Sequence, residues 1–171
     1  MPNHFKEKFG AQLSTDAFGA MVLDKSNILE AVETLYKEDK YTFLVDITAV
    51  DYLGRSDVPE RFAVIYILRD LNFANIITLK TYIDASMATD SITPVFKSAN
   101  WAEREVWDQY GIHFKNHPNL KRVLNHKEFI GHPLRKDYPL QGKQPRVALR
   151  SPEVSNTARQ MQRPELVRIG E

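Results

Sequence analysis

The sequence predicts a two-layer α+β domain, with a mixed, mainly antiparallel sheet of three to four strands covered by helices, and an extended Pro-rich C-terminal tail. Three observations carry this. Between residues 41 and 83 the apolar side chains recur with period two; two stretches, near 28–36 and 101–110, carry helical stripes; and composition changes sharply at Gly111. Residues 1–111 hold 11 Lys/Arg against 17 Asp/Glu, a net −6, whereas residues 112–171 hold 12 against 5, a net +7. Six of the nine prolines also follow Gly111. Long helices and central strands are therefore not expected there. The boundaries read as a body at 1–111, an extended partner-binding segment at 112–142, and a basic wrapping or disordered tail at 143–171.

The elements follow in order. Residues 19–23 read as a short strand. Asn27 with Glu30 forms an Asn-x-x-Glu capping box, and Ile28, Val32, Leu35 and Tyr36 make one apolar stripe opposite Glu30, Glu33, Lys37 and Glu38. From Tyr41 the period becomes two: Phe43, Val45, Ile47 and Ala49 alternate with Thr42, Asp46 and Thr48, and only Leu44 breaks the pattern. Residues 62–68 are nearly continuous in β-branched and aromatic side chains and read as the central strand. Ile77, Leu79, Thr81 and Ile83 form a third alternating strand, and the short connections imply an antiparallel meander. Ser91 is placed as the cap of a short helical stretch ending at Lys97. Asn100 with Glu103 makes a second box, and Ala102, Val106 and Tyr110 share a face ahead of Gly111, which suits a C′ position.

Composition excludes several chemistries. The 171 residues contain no cysteine, so a disulfide, a thiolate zinc site, a Cys-ligated iron–sulfur cluster and a Cys nucleophile are all ruled out within them. No apolar run approaches the ~20 residues of a membrane helix, and the first residues lack the apolar core of a signal peptide; a soluble, cytoplasmic chain is expected. The seven glycines form neither GxGxxG nor a Walker motif.

Four histidines, His113, His117, His126 and His132, invite a metal-site reading. His113 and His117 would share a face only on a helix, which Gly111 and Pro118 oppose, so hydrogen-bonding loop histidines are the expectation. Glu105 and Asp108 stand three apart and suit an acid–base pair. A structural role outweighs it, with early acids complementing the helix dipole and Arg104 pairing with Asp108 at i, i+4. The basic tail attracts phosphate, yet its stacking aromatics are few and Asp137 interrupts its basic cluster, so an acidic protein surface suits it better than nucleic acid.

Residues 103–112 (EREVWDQYGI), 117–124 (HPNLKRVL) and 131–140 (GHPLRKDYPL) closely resemble the signature of the thirty-kilodalton subunit family of respiratory complex I, the NADH:quinone oxidoreductase, in which this is the C-subunit. Residues 44–52 resemble that family's first central strand, so the likeness spans about 18–142. It implies a structural subunit, without catalytic residues or cofactors of its own, in the peripheral arm of a respiratory-chain enzyme that couples NADH-to-quinone electron transport to proton translocation. FMN, iron–sulfur clusters and quinone would sit on other subunits. Implied partners are subunits D, B and I of complex I, of which D is the large quinone-site component. The assembly would lie at the cytoplasmic side of the membrane, with the membrane reached only through the complex. The same resemblance implies a partner interface at His117, Pro118, Arg122, His132, Pro133, Arg135, Lys136, Asp137 and Tyr138, and a brace at the body–tail junction from Glu103, Arg104 and Asp108. Related membrane-bound hydrogenases and deazaflavin- or ferredoxin-dependent dehydrogenases use an equivalent component. A free-standing His-ligated metal enzyme is the rival of a different class.

Overall fold

A computed structural model describes residues 2–70, 75–141 and 143–145. The expected basic tail at 143–171 thus lies, from residue 146 on, outside the described residues. Seven strands and three α-helices alternate along the described chain: α1 (Asn3–Phe9), β1 (Ser14–Thr15), β2 (Met21–Leu23), α2 (Ile28–Lys37), β3 (Phe43–Asp51), β4 (Phe62–Arg69), β5 (Ile76–Ile83), β6 (Ala88–Asp90), α3 (Ala99–Tyr110) and β7 (His113–Lys115).

The main sheet has five strands in the order β1-β2-β5-β4-β3. β3, β4 and β5 form the expected antiparallel meander, and β2 joins β5 in parallel, so the sheet is mixed. β4 is flanked on both sides, as a central strand should be, but β5 holds the middle of the sheet because β1 and β2 extend it beyond β5. The two-residue β1 and helix α1 carry too little periodicity to be read from sequence. A separate parallel pair, β6 with β7, ties the chain after the meander to the chain after α3.

Register explains the core. Phe62 pairs with Ile83, Tyr66 with Leu79 and Leu68 with Ile77, while Ile47 and Ala49 of β3 face Tyr66 and Val64. These side chains are buried with Phe5 and Phe9 of α1, Ile28, Val32 and Leu35 of α2, and Ala99 and Val106 of α3. Burying one such side chain contributes about 1.5–3 kcal/mol.

The β3 alternation differs from the sequence reading in phase. Leu44 is buried, whereas Phe43 and Val45 are about half exposed. The register shifts between Leu44 and Asp46, so Val45 is the extra residue of a β-bulge, and the bulge lets Leu44 and Ile47 face the core together. Both capping boxes also resolve differently. Asn27 makes no cap; its amide donates to Gln12, and Asp24 instead accepts from Ser26 N ahead of α2. α3 begins at Ala99, placing Asn100 inside it. The helical stretch expected from Ser91 to Lys97 is a set of turns: Ser91 Oγ accepts from Thr93 N, and the Ile92 carbonyl accepts from Val95 and Phe96 before the turn stops. Pro94 lies within it.

Candidate functional site

The residues after Gly111 turn back onto the end of α3. A helix leaves its last four carbonyls without intrahelical partners. In α3 these belong to Trp107, Asp108, Gln109 and Tyr110, and each finds a donor from the chain that follows. Gly111 N donates to Trp107 at 2.8 Å, and His132 Nδ1 lies 3.0 Å from the Asp108 carbonyl. Leu134 N donates to Gln109 at 3.1 Å, and Arg135 Nε to Tyr110 at 2.5 Å. α3 has no basic residue in its own last turn, so Arg122 and Arg135 bring the cations that its negative end favours. Gly111 makes the turn possible with φ 78°.

Asp108 anchors the other half of the segment. Its side chain is fully buried; Oδ1 meets Arg122 Nη1 at 2.5 Å, and Oδ2 accepts the backbone N–H groups of Val123, Leu124 and Asn125 at 2.9–3.1 Å. Burial pushes its carboxyl up, but the Asn125 backbone and amide, Arg122 and Val123 outweigh it, holding the carboxyl at about 2. Arg104 does not pair with Asp108 as i, i+4 spacing suggests. It donates instead to the carbonyls of Lys121 and Arg122, because Arg122 already occupies the Asp108 carboxylate.

A second anchor joins the signature block to the sheet. Asp51, buried at the end of β3, accepts from Arg61 Nη2 and from Lys136 N, both at 2.9 Å, and Arg61 also pairs with Asp137 at 2.9 Å. Burial raises the Asp51 carboxyl, but Arg61 and the N–H groups of Lys136 and Leu53 outweigh it and hold it at about 2. Between the anchors Tyr138 stacks on Phe129, His126 meets Phe129 edge-on, and Arg122 sits over both Phe129 and Trp107. Gln144 brackets the backbone of Ile130 and reaches the Tyr138 hydroxyl.

Glu103 works at the other end. Its carboxylate is fully buried, accepting from Ile92 N and Ser91 Oγ, each at 2.7 Å, so it fixes the chain before α3 rather than capping its own helix. Burial, opposed by those two hydrogen bonds, pushes it up to about 7. His117 Nε2 is 3.9 Å from Glu103 and 3.1 Å from the Asn100 carbonyl; burial and then the Arg104 charge hold it below the ordinary imidazole value. Pro118 is exposed and Pro133 half-buried.

The histidines do not converge: His113 is exposed on β7, and His126 packs on Phe129. Among the described residues no three His, Cys, Asp or Glu side chains gather at metal-ligand distance. Glu105 and Asp108 do not act together either, since the Asp108 carboxylate is wholly taken up by the 122–125 turn. Among the described residues no helix is long and apolar enough to cross a membrane.

The family resemblance implies a partner interface at His132, Arg135, Lys136 and Asp137. Their hydrogen bonds and ion pairs in this structure run inward, to α3 and to the Asp51–Arg61 pair. Sequence reasoning misses Asp51 and Arg61 altogether. An Asp at the close of an alternating strand with an Arg ten residues on is the only signal for them.

Comparison with known proteins gives the family. The model of the family described as "Respiratory-chain NADH dehydrogenase, 30 Kd subunit" matches residues 21–144. The NADH-quinone oxidoreductase C-subunit of Citrifermentans bemidjiense is 47% identical over 123 residues, covering 71% of this chain and 74% of that protein. The C-subunit of Geobacter sulfurreducens is 41% identical over 142 residues, covering 80% and 86%. Among solved structures, a trypsin-resistant fragment (1–134) of Nqo5 is similar with a TM-score of 0.57 and 32% identity, over 67% of this chain and 95% of that one. The chain therefore belongs to the family of the respiratory-chain NADH dehydrogenase 30 Kd subunit, the C-subunit family of NADH-quinone oxidoreductase.

Proposed function

We propose that this chain is a cofactor-free scaffold in the peripheral arm of a proton-translocating NADH:quinone oxidoreductase, on the cytoplasmic side of the membrane. Its segment 112–142 docks against the large quinone-site component, with subunits B and I adjoining, while FMN, iron–sulfur clusters and quinone belong to other subunits. In this reading the chain supports electron transfer by holding the quinone module together.

One observation carries the proposal. The segment is held by buried anchors on its own body, yet it leaves large apolar side chains outside: Leu124, Ile130, Leu134 and Leu140 are each more than half exposed, and so is Trp101 on α3. Apolar side chains concentrated on one pinned segment suit an interface. Because the backbone is already fixed by Asp108, Asp51 and the α3 carbonyls, docking loses less conformational entropy than it would from a free tail. His117, Pro118, Arg122, His132, Pro133, Arg135, Lys136, Asp137 and Tyr138 then shape the interface, most of them by holding it in form.

The test is gentle extraction of the source membranes, affinity capture on this chain, and an inventory of co-purifying subunits and cofactors. A large assembly with iron–sulfur clusters and NADH-dependent quinone reduction is expected. A lone, metal-loaded monomer would overturn the reading and return the histidines to the centre.

A further inference from the structure

Beside the Asp108 anchor lies a cavity of about 530 Å³ between α3 and the 120–127 turn. Trp107 and Leu120 wall it, and four cations surround it: Arg104, Lys121, Arg122 and Lys127. Among the described residues no carboxylate lines it. Arg122 is answered from beneath by Asp108, and Arg104 gives Nε and Nη2 to backbone carbonyls. Lys121 and Lys127 are exposed and have no ion pair among the described residues. Positive charge is thus gathered around a partly apolar hollow, with no counter-charge at its mouth among the described residues.

We infer that this hollow receives an acidic segment of a neighbouring protein in the assembly, a partner loop that places a carboxylate between Lys121 and Lys127 and an apolar side chain against Trp107 and Leu120. The inference rests on the reading above and names the chemistry of one contact within it. Cations lining one cavity repel one another, and an acidic side chain relieves that repulsion while gaining charge-assisted hydrogen bonds. A small free anion would leave the apolar walls wet, along with Trp101, which is 64% exposed against Arg104, and Leu124, which is 63% exposed beside Arg122. A flat lipid surface does not reach into a concavity. A protein segment carrying both kinds of side chain satisfies the whole lining.

The test uses the captured assembly and the isolated full chain. Carbodiimide joins a lysine to a carboxylate only where the two already touch, and acetylation with a water-soluble ester reports which lysines are free. The expected result is an amide between Lys121 or Lys127 and an Asp or Glu of another polypeptide, with acetylation of both lysines slowed about tenfold in the assembly relative to the isolated chain. The double variant Lys121→Glu/Lys127→Glu is expected to be retained about tenfold less well, and Lys121→Arg/Lys127→Arg to be retained normally. Both lysines are surface residues without ion-pair partners among the described residues, so folding is checked independently by thermal unfolding. Free acetylation in an intact assembly overturns the inference and leaves the proposed function standing. Protection without any amide points to a phosphate or lipid anion and overturns it. An amide to a second copy of this chain also overturns it. Failure of the chain to capture other subunits overturns both readings together.

Discussion

Asp108 and Arg122 meet at 2.5 Å beneath a turn whose backbone donates to the same carboxylate, so one side chain of α3 holds both the charge and the course of residues 122–125. Truncating one partner of such a pair strands the other without its counter-charge. Asp108→Ala is expected to cost roughly 3–5 kcal/mol in urea unfolding and to open the 120–141 segment to protease before the body yields. If the variant unfolds at the same urea concentration as the parent chain, Asp108 is no anchor.

The pH dependence of this anchor follows from the direction of its shift. The Asp108 carboxyl is held at about 2, below its ordinary 3.8, so its contribution is complete above about pH 4 and is lost as the pH falls toward 2. Asp51, also held at about 2, acts in the same window. Acid titration should therefore release the segment between about pH 4 and 2, seen as fluorescence change at Trp107 and fast amide exchange at Val123 to Asn125. In Asp108→Asn the part of this transition that belongs to Asp108 should vanish.

Glu103 runs the opposite way. Its folded-state value, about 7, lies above the ordinary 4.5, so it favours folding fully below about pH 4.5 and that contribution disappears as the pH rises through 7. Glu103→Gln keeps an acceptor for Ile92 N, while its amide N–H2 replaces the oxygen that accepts from Ser91 Oγ and donates to that hydroxyl instead, leaving the hydroxyl proton to Thr93 Oγ1. It should match the parent chain near pH 5 and exceed its stability at pH 8, by up to about 3 kcal/mol. Equal stability gaps at both pH values would show that the Glu103 carboxyl does not titrate in that range.

Asp51 and Asp137 both pair with Arg61 but differ in burial: Asp51 is 1% exposed at the side chain, Asp137 49%. Asp51→Ala should destabilise by about 3 kcal/mol or more and free Lys136, whereas Asp137→Ala should cost under about 1 kcal/mol. The ordering is checked by paired urea curves, and a reversed order would misplace the second anchor.

At Gly111 a Cβ would lie 2.5 Å from Arg135 Nη2 and 2.6 Å from His132 Nε2, on a backbone already at φ 78°. Both side chains are tied to α3 carbonyls, so neither can yield without losing a cap. Gly111→Ala should cost about 2–3 kcal/mol, and Arg135→Ala introduced beside it should give a smaller loss than the two single effects added. Strict additivity would show that the two positions do not interfere.

Much of the body is legible because burial imposes its period on the sequence. Ile28, Val32 and Leu35, or Phe62, Tyr66 and Leu79, announce their faces, and Gly111 announces the end of α3. The bulge at Val45 is not legible, since a one-residue slip leaves composition untouched and only the partner strand reveals it. The capping boxes fail for a related reason: Asn27 and Glu103 find partners distant in sequence, Gln12 and the 91–92 turn, that local pattern cannot weigh. The signature is plain, but the inward direction of its hydrogen bonds is not. A row of His, Pro, Arg and Asp reads the same whether it grips a neighbour or closes the carbonyls of its own helix.

The most direct measurement is hydroxyl-radical footprinting of the captured assembly against the isolated chain. Leu124, Ile130, Leu134 and Leu140 should react readily in the isolated chain and lose most of that reactivity in the assembly, while Asp108-bound Val123 to Asn125 keep slow amide exchange in both. Undiminished reactivity at all four leucine and isoleucine side chains within an intact assembly would contradict the claim that this pinned segment is the face the chain offers to its neighbours.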